Sequence, residues 1–394
     1  MFFTVLDSKQ ECFGYYYDGD IHEQPPNIAD NYITWEYSRA HHQEGMEYLS
    51  LYCGGSSLTD LCPPHLQEEL DLMEERKRSY ANAIRNSKIE IDDVCIYELI
   101  PHWFLKDYSQ IKCEIMQDMR ARWERPASYD FMLALEKLFG EIAENKLKID
   151  ISKLSLRRHQ TSVRNFIKKY SGKQTIRYNQ FGTKTGRLTT KPGSFPILNL
   201  ERSLRQVVSP NNDLFVEFDY NAAELRTMMA LANMEQPKGD VHQWNMKNIF
   251  NTNSRSDAKT RFFAWLYNPS AADRALDEAY NRKAIVSRHW DGKTVKTPFG
   301  RLIEAQEHYA LNYIIQSTTN DLVLEQILKV RELLQGKRSK ISFLIHDSFV
   351  IDLDKNEKDL VSEIAEIFSQ NKFGDFMVNI KAGKDFGNMK EISV

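Results

Sequence analysis

Two short apolar segments, each followed closely by an aspartate, constrain this chain more than any other feature of its sequence. Residues 214–218 end just before Asp219, and residues 341–345 end two positions before Asp347. Short apolar runs of this kind are typical of strands, so both aspartates are expected at strand ends. Paired carboxylates on a rigid sheet are suitable ligands for two divalent metals that act on phosphoryl groups. The pattern therefore predicts a sheet with a metal site for nucleotidyl transfer.

Between the two aspartates, four side chains recur at every fourth position: Arg255, Lys259, Phe263 and Tyr267. At about 100° per residue, this spacing places them along one side of a single helix. Two cations followed by two rings suit a nucleoside triphosphate, with the phosphates on the cations and the sugar and base against the rings. The alternative is a basic amphipathic helix whose aromatic end packs inside the protein.

Four motifs in this order resemble those of the family A DNA polymerases, the right-hand-shaped enzymes of bacteria, mitochondria and many phages. They are TGRLTT at residues 185–190, DYNAAELR at 219–226, the helix described above, and HDS at 346–348. The resemblance is firm from about residue 174 to residue 353. It implies an α+β right-hand polymerase fold, with an antiparallel-sheet palm and helical fingers and thumb.

The resemblance also implies a role for each matched residue. Asp219 and Asp347 would hold two Mg²⁺ ions, with Mn²⁺ as an alternative, and the main-chain carbonyl of Tyr220 would be a further ligand. Six residues would bind the dNTP: Glu224, His242, Arg255, Lys259, Phe263 and Tyr267. Among these, Glu224 matches the position that crowds a ribose 2′-hydroxyl. Lys259 would also act in catalysis by protonating the departing pyrophosphate.

A second group of matched residues resembles the side chains that contact the primer–template end. These are Arg187, Arg301, Asn312, Gln316 and His346. The first four would read the minor groove, where every base pair offers acceptors in the same place, and His346 would support the primer terminus. The expected partners are primer–template DNA and dNTPs.

Ser348 departs from the family pattern, which usually has glutamate there. A third carboxylate near the metals is therefore missing. Single-subunit RNA polymerases also carry HDS at this place, so this motif alone does not identify the sugar of the substrate. Glu224 and the TGR motif favour deoxynucleotides. The segment between Tyr267 and Gln316 is short, which implies abbreviated fingers.

The distribution of charge agrees with nucleic-acid binding in the second part of the chain. The whole chain has 52 basic and 55 acidic residues, but residues 1–150 hold 15 basic and 28 acidic ones, whereas residues 151–394 hold 37 and 27. Residues 151–200 contain 11 Lys and Arg and no Asp or Glu. A stretch without acidic residues is expected to follow a polyanion backbone.

Composition predicts a protein of two or three substructures without a membrane span, because no apolar run approaches about 18 residues. The N-terminus looks like a first strand and not a signal peptide. The five cysteines (Cys12, Cys53, Cys62, Cys95 and Cys113) show no paired spacing. Reduced thiols and a cytoplasmic location, the host cytoplasm for a viral protein, are expected.

The sequence also suggests an order of subdomains along the chain. We expect an N-terminal extension of unknown role (1–95), a helical thumb with its lead-in helices (96–172), a first part of the palm (173–235), abbreviated fingers (236–310) and a second part of the palm (311–394). No acidic metal-ligand set typical of a 3′→5′ exonuclease precedes the thumb. A separate exonuclease or processivity subunit would then be a further partner.

These features predict a small DNA polymerase without proofreading, of the kind found in viral or phage replication. The alternatives are a single-subunit RNA polymerase, a reverse-transcriptase-like polymerase and, in a different class, a non-catalytic protein that clamps primer–template DNA. Retention of Asp219, Asp347, Arg255 and Lys259 argues against the last of these, because a pure DNA binder has no need to concentrate negative charge beside phosphates.

Overall fold

The computed structural model describes residues 2–6, 14–26, 32–89, 96–250, 253–268 and 271–393. The chain divides into two compact units, Met1–Gly140 and Glu141–Val394. The subdomain boundaries suggested by the sequence stay predictions. All of the residues predicted to bind metal, nucleotide or DNA belong to the second unit.

The first unit has short strands and long helices. The strands are β1 (Thr4–Val5), β2 (Tyr15–Tyr17), β3 (Asp20–His22), β4 (Ile33–Thr34) and β5 (Glu47–Tyr48). The helices are α1 (Pro64–Asn86), α2 (His102–Arg122) and α3 (Tyr129–Glu144), of which the last four residues belong to the second unit. The 3₁₀ turns are Leu49–Leu51, Thr59–Leu61 and Ile96–Leu99. The first strand expected near the N-terminus is confirmed as β1, which pairs with β2 in antiparallel fashion. Residues 7–13, between these two strands, lie outside the described residues.

The second unit contains the longer strands. These are β6 (Lys148–Ile149), β7 (Tyr178–Asn179), β8 (Thr189–Thr190), β9 (Val208–Ser209), β10 (Leu214–Tyr220), β11 (Thr294–Lys296), β12 (Leu302–Glu304), β13 (Lys340–Ile345), β14 (Ser348–Leu353), β15 (Gln370–Asn371), β16 (Gly374–Asp375), β17 (Val378–Gly383) and β18 (Lys390–Glu391). The two predicted strands before Asp219 and Asp347 are thus confirmed as β10 and β13.

The helices of the second unit are α4 (Thr161–Tyr170), α5 (Ala223–Leu231), α6 (Val241–Asn248), α7 (Arg255–Tyr267), α8 (Arg274–Tyr280), α9 (Arg282–His289), α10 (Glu307–Leu333) and α11 (Leu360–Ser369). Its 3₁₀ turns are Ile151–Arg157, Ile197–Asn199, Arg202–Val207 and Lys355–Glu357. The predicted helix from Arg255 to Tyr267 is confirmed as α7.

A five-stranded antiparallel sheet is the centre of the second unit. Its order is β13-β14-β10-β17-β18, so β10 is the middle strand. Phe218 of β10 stacks on Phe349 of β14, with ring centroids 5.1 Å apart. Full burial of such a side chain contributes roughly 1.5–3 kcal/mol to folding. The middle strand is therefore a rigid support for the aspartate near its end.

A helical core lies beside this sheet and joins α5, α7 and α10. It includes Leu225, Met228, Met229, Phe262, Trp265, Tyr280, Ile314 and Ile315, which are all at most 1 % exposed. The mixture of helix and antiparallel sheet agrees with the predicted α+β class. In the described part of the chain, no helix is both long and apolar enough to pass through a membrane. Cys53, Cys62 and Cys113 are free thiols, whereas Cys12 and Cys95 lie outside the described residues.

Candidate active site

The central sheet brings the two predicted metal-binding aspartates together. Asp219 is opposite Ser348 in the register of β10 and β14. Ile345 pairs with Ser348, so His346 and Asp347 form the two-residue turn between β13 and β14. His346 is exposed and has a φ of 50°, a left-handed conformation that is uncommon for a residue other than glycine. The turn holds Asp347 next to the end of β10.

Both aspartates are in surroundings that disfavour their negative charge. Burial raises the pKa of Asp219 to about 7, and the charges of Asp347 and Glu217 add to this effect. Burial also raises the pKa of Asp347. A divalent cation would offset this cost, because both groups are hard oxygen ligands. The two carboxylates thus fit a metal as ligands. No larger cluster, of three or more His, Cys, Asp or Glu side chains, is placed to hold a metal among the described residues.

Tyr220 offers only its main chain to this site. Its ring stacks on Phe368 with centroids 4.0 Å apart, and its hydroxyl donates to the main-chain carbonyl of Phe368. The side chain is therefore part of the core. The carbonyl oxygen of Tyr220 as a metal ligand stays a prediction.

Ser348 has a structural role at the start of β14. Its side chain is buried, and the hydroxyl donates to the main-chain carbonyl of Ile345 over 3.0 Å. This hydrogen bond closes the turn that carries Asp347. The nearby carboxylate of Glu217 is already paired with Lys381 at 3.4 Å. Neither residue supplies a free third carboxylate.

The four residues predicted to share one side of a helix do lie along the accessible side of α7. We call these residues, Arg255, Lys259, Phe263 and Tyr267, the stripe. The helix begins at Arg255 because Ser254 caps it, accepting a hydrogen bond from the main-chain N–H of Asp257 at 3.2 Å. Arg255, Lys259 and Tyr267 are exposed and Phe263 is half-buried, whereas the opposite side is buried through Ala258, Phe262, Trp265 and Leu266. The rings of Phe263 and Tyr267 are nearly parallel, with centroids 5.7 Å apart. The alternative, in which the aromatic end packs inside, does not apply to Tyr267.

Glu224 is held at both of its carboxylate oxygens. Arg187 donates from Nη2 to Oε1 at 2.5 Å, and the hydroxyl of Tyr267 donates to Oε2. Glu224 is in the first turn of α5, which follows β10 directly after Ala222 in the left-handed region (φ 54°). Arg187, predicted to read the primer–template, thus also fixes Glu224. A carboxylate with two partners cannot easily move aside for a bulky neighbour.

His242 is buried beside the same stripe. It is 3 % exposed, its ring centroid lies 6.0 Å from that of Phe263, and Nδ1 has no hydrogen-bond partner in the described part of the chain. Burial lowers the pKa of His242 to about 4, and the cations Arg255, Lys259 and Arg226 act in the same direction against the opposing charge of Asp240. His242 is therefore neutral at pH 7.

The buried state of His242 predicts a loss of stability in acid. Unfolded histidine binds a proton near pH 6.5, but folded His242 does so only near pH 4, so falling pH favours the unfolded state across this window. We expect the melting temperature to fall less between pH 7 and pH 4.5 in His242→Gln than in the wild type, with a difference of a few degrees. An equal slope for His242→Gln and the wild type would contradict the assignment.

Arg226, Asn221 and Asp240 form a network that the sequence did not predict. Arg226 is fully buried and donates to three main-chain carbonyls: Asn221 at 2.9 Å, Pro237 at 3.0 Å and Gly239 at 2.8 Å. These bonds fix the loop before α6. Asp240 caps α6 by accepting from the main-chain N–H of Gln243 at 2.8 Å. The only sequence signal was an aspartate in a position suited to a helix N-cap.

The predicted DNA-contacting residues lie where α10 meets the TGR segment. Gln316 accepts from the hydroxyl of Thr185 at 2.8 Å. Arg301 donates to both oxygens of the buried Asp321, at 3.1 and 2.7 Å. Asn312 is half-buried on α10, and its buried Oδ1 has no partner among the described residues. Asp321 was not predicted from sequence, because nothing in a sequence pairs it with Arg301.

Gly186 is required at the point where Arg301 approaches the TGR segment. Its φ is 80°, and a Cβ atom there would lie 2.6 Å from Nη2 of Arg301. The side chain of Asn320 also donates to the carbonyl of Gly186 at 2.9 Å. Arg187, which follows Gly186, is thus held close to α10 and to Glu224.

Comparison with known proteins identifies relatives at low identity. No protein-family model matches the chain. The thermostable DNA polymerase I of Thermus aquaticus is 24% identical over 276 residues, which cover 56% of this chain and 33% of that protein. DNA polymerase I of Caldicellulosiruptor bescii is 21% identical over 379 residues, covering 79% of this chain and 44% of that protein. The chain thus spans less than half the length of these relatives.

A solved structure shares the fold. The POL domain of Pol1 from M. smegmatis, determined in complex with a DNA primer–template and dNTP, has a TM-score of 0.61 and 12% identity, and the match covers 86% of this chain and 82% of that one. The predicted right-hand fold is thereby confirmed. In sequence the chain is similar to DNA polymerase I, and in fold it is similar to a DNA polymerase domain.

Proposed function

We propose that this chain is a template-directed DNA polymerase that adds dNTPs to a primer 3′-hydroxyl by nucleotidyl transfer. The observation that carries the proposal is that the carboxylates of Asp219 and Asp347 lie near the fixed carboxylate of Glu224. Asp347 is in the turn beside the end of β10, and Glu224, to which Arg187 donates a hydrogen bond, is in the first turn of the helix that follows β10. A metal-binding pair and a fixed carboxylate at this short range suit a 3′-hydroxyl and an incoming deoxynucleotide.

In this proposal, Asp219, Asp347 and the carbonyl of Tyr220 hold two divalent ions, Mg²⁺ or Mn²⁺, which would make the 3′-hydroxyl more acidic and neutralise the leaving pyrophosphate. Arg255, Lys259 and neutral His242 bind the triphosphate, and Lys259 supplies a proton to the pyrophosphate. Phe263 and Tyr267 lie against the sugar and the base. Glu224 excludes a 2′-hydroxyl.

The duplex would follow the basic part of the chain. Lys169, Lys173 and Lys191 line an open cavity of about 530 Å³ beside α4, and the ammonium groups of Lys169 and Lys173 lie 5.1 and 5.6 Å from the ring of Tyr170. Arg187, Arg301, Asn312 and Gln316 would contact the minor groove, and His346 the primer end. Phosphate contacts of this kind would give binding that weakens with salt.

Primer extension tests the proposal. A labelled DNA hairpin is incubated with Mg²⁺ and either dNTPs or NTPs, and Asp347→Asn serves as the control. We expect extension with dNTPs only, and no extension by the variant. Extension with NTPs would favour the RNA polymerase alternative. Binding of the hairpin without extension by either substrate would favour a non-catalytic clamp.

A further inference from the structure

Arg255 does not stand alone on α7, because Asp240 holds its guanidinium group. Nε donates to Oδ1 at 3.2 Å and Nη2 donates to Oδ2 at 2.5 Å. This contact uses one edge of the guanidinium group. Nη1 has no partner among the described residues, and the side chain remains 46% exposed. The opposite edge, formed by Nη1 and the second hydrogen of Nη2, thus stays accessible to an anion.

Asp240 is itself fixed more firmly than a surface carboxylate. Its side chain is only 17% exposed, and it accepts from the main-chain N–H of Gln243 and from Nδ2 of Asn221 at 3.1 Å. Asn221 follows the end of β10, and Arg226 binds the carbonyls on both sides of this arrangement. The carboxylate therefore connects the strand of Asp219 to the helix of the cationic stripe.

We propose that Asp240 is a positioning residue for the triphosphate, because it orients Arg255 so that the free edge of the guanidinium group meets a phosphate. This inference rests on the proposed function, in which Arg255 binds the triphosphate. A planar cation that is already held on one edge loses less rotational freedom when the other edge binds. Asp240 itself need not touch the nucleotide.

The same helix contains a matched control. Arg261 of α7 forms an ion pair with Asp273, and Asp273 caps α8 as Asp240 caps α6. The exposed fractions are also similar, at 51% for Arg261 and 9% for Asp273. Arg261 lies off the stripe, however, with its guanidinium 4.4 Å from the ring of Phe250. Asp273→Asn thus reproduces the chemistry of Asp240→Asn without touching the stripe.

Equilibrium binding of the complementary dNTP to the enzyme on a dideoxy-terminated primer–template tests the proposal without chemistry. Asparagine keeps a cap acceptor but loses the charge. We expect Asp240→Asn to raise the Kd for dNTP about tenfold, the loss typical of one charge-assisted hydrogen bond, and Asp273→Asn to change it less than about twofold. Arg255→Lys, which leaves the cap intact but cannot present two edges, should match Asp240→Asn.

A double-mutant cycle separates positioning from general damage. If Asp240 acts through Arg255, Asp240→Asn adds nothing to the Kd in an Arg255→Gln background. An unchanged or lower Kd for Asp240→Asn, an equal effect of Asp273→Asn, or an additive effect with Arg255→Gln would overturn the inference but leave the proposed function intact. If Arg255→Gln bound dNTP as tightly as the wild type, both the positioning role of Asp240 and the proposed role of Arg255 in binding the triphosphate would be overturned.

Discussion

Replacement of Asp347 by asparagine is expected to lower the rate of nucleotide addition by at least about 10³-fold, or about 4 kcal/mol in the barrier. Asparagine has nearly the same shape, but it removes one of the two anionic groups available to a metal. The same result is expected for Asp219→Asn. Single-turnover extension with saturating dNTP measures the rate, so that weaker nucleotide binding does not obscure the effect.

The lost activity should not come from unfolding. Burial and the neighbouring charges raise the pKa of Asp219 to about 7, so ionisation of this group opposes folding. The cost is absent below the ordinary pKa of aspartate, near 3.8, and is fully present above pH 7. In a buffer with a chelator, Asp219→Asn should therefore melt at a higher temperature than the wild type at pH 8, with a smaller difference at pH 5.

Asp352 supplies the control for a buried carboxylate on the same sheet. It accepts hydrogen bonds from the main-chain N–H groups of Asn211 and Asn212 at 2.8 and 2.9 Å. Asp352→Asn should therefore lower stability and leave the extension rate within about twofold. If Asp347→Asn kept its activity, or if Asp352→Asn lost as much, the metal assignment would be wrong.

Removal of the Glu224 carboxylate is expected to decrease the preference for dNTPs over NTPs by on the order of 100-fold, about 2.7 kcal/mol. The carboxylate is held by Arg187 and Tyr267, so it cannot retreat from a 2′-hydroxyl. Glu224→Ala removes this obstacle, and the ratio of kcat/KM for the two sugars measures the change. Tyr267→Phe, which frees only one oxygen, should give a smaller change in the same direction.

Glu217 offers the comparison for this second prediction. It is also a carboxylate on the sheet near Asp219, but it pairs with Lys381. Glu217→Gln should leave the ratio unchanged. If the ratio of kcat/KM for dNTPs over NTPs stayed high in Glu224→Ala, another group would be the one that excludes ribonucleotides.

Residues whose position follows from a local repeat of the sequence could be predicted. The strand before Asp219 and the stripe of α7 follow from periodicity, because strand and helix each impose a fixed repeat. The antiparallel sheet then brings Asp219 to Asp347 across more than a hundred residues, as the motif order implied. Sequence patterns were sufficient for these elements because each element contains its own signal.

Residues that act through distant partners could not be predicted. The pairs of Arg301 with Asp321 and of Arg255 with Asp240 depend on how helices approach each other, which no local repeat records. The hydrogen bond of Ser348 to Ile345 is a similar case, since a serine after an aspartate has many alternatives. The division of the chain after Gly140 falls inside α3, where composition does not change.

Helix α7 is fastened at both ends by carboxylates, Asp240 at Arg255 and Glu224 at Tyr267. Hydrogen bonds of this kind can be exchanged for bonds to water or phosphate without exposing apolar surface, whereas the buried side with Phe262 and Trp265 must stay packed. A hinge motion of α7 thus has to break the hydrogen bonds of Arg255 to Asp240 and of Tyr267 to Glu224, which lie at opposite ends of the helix. Breaking the hydrogen bond of Tyr267 also releases one carboxylate oxygen of Glu224, while Arg187 still holds the other, so opening of the helix loosens the group that excludes a 2′-hydroxyl.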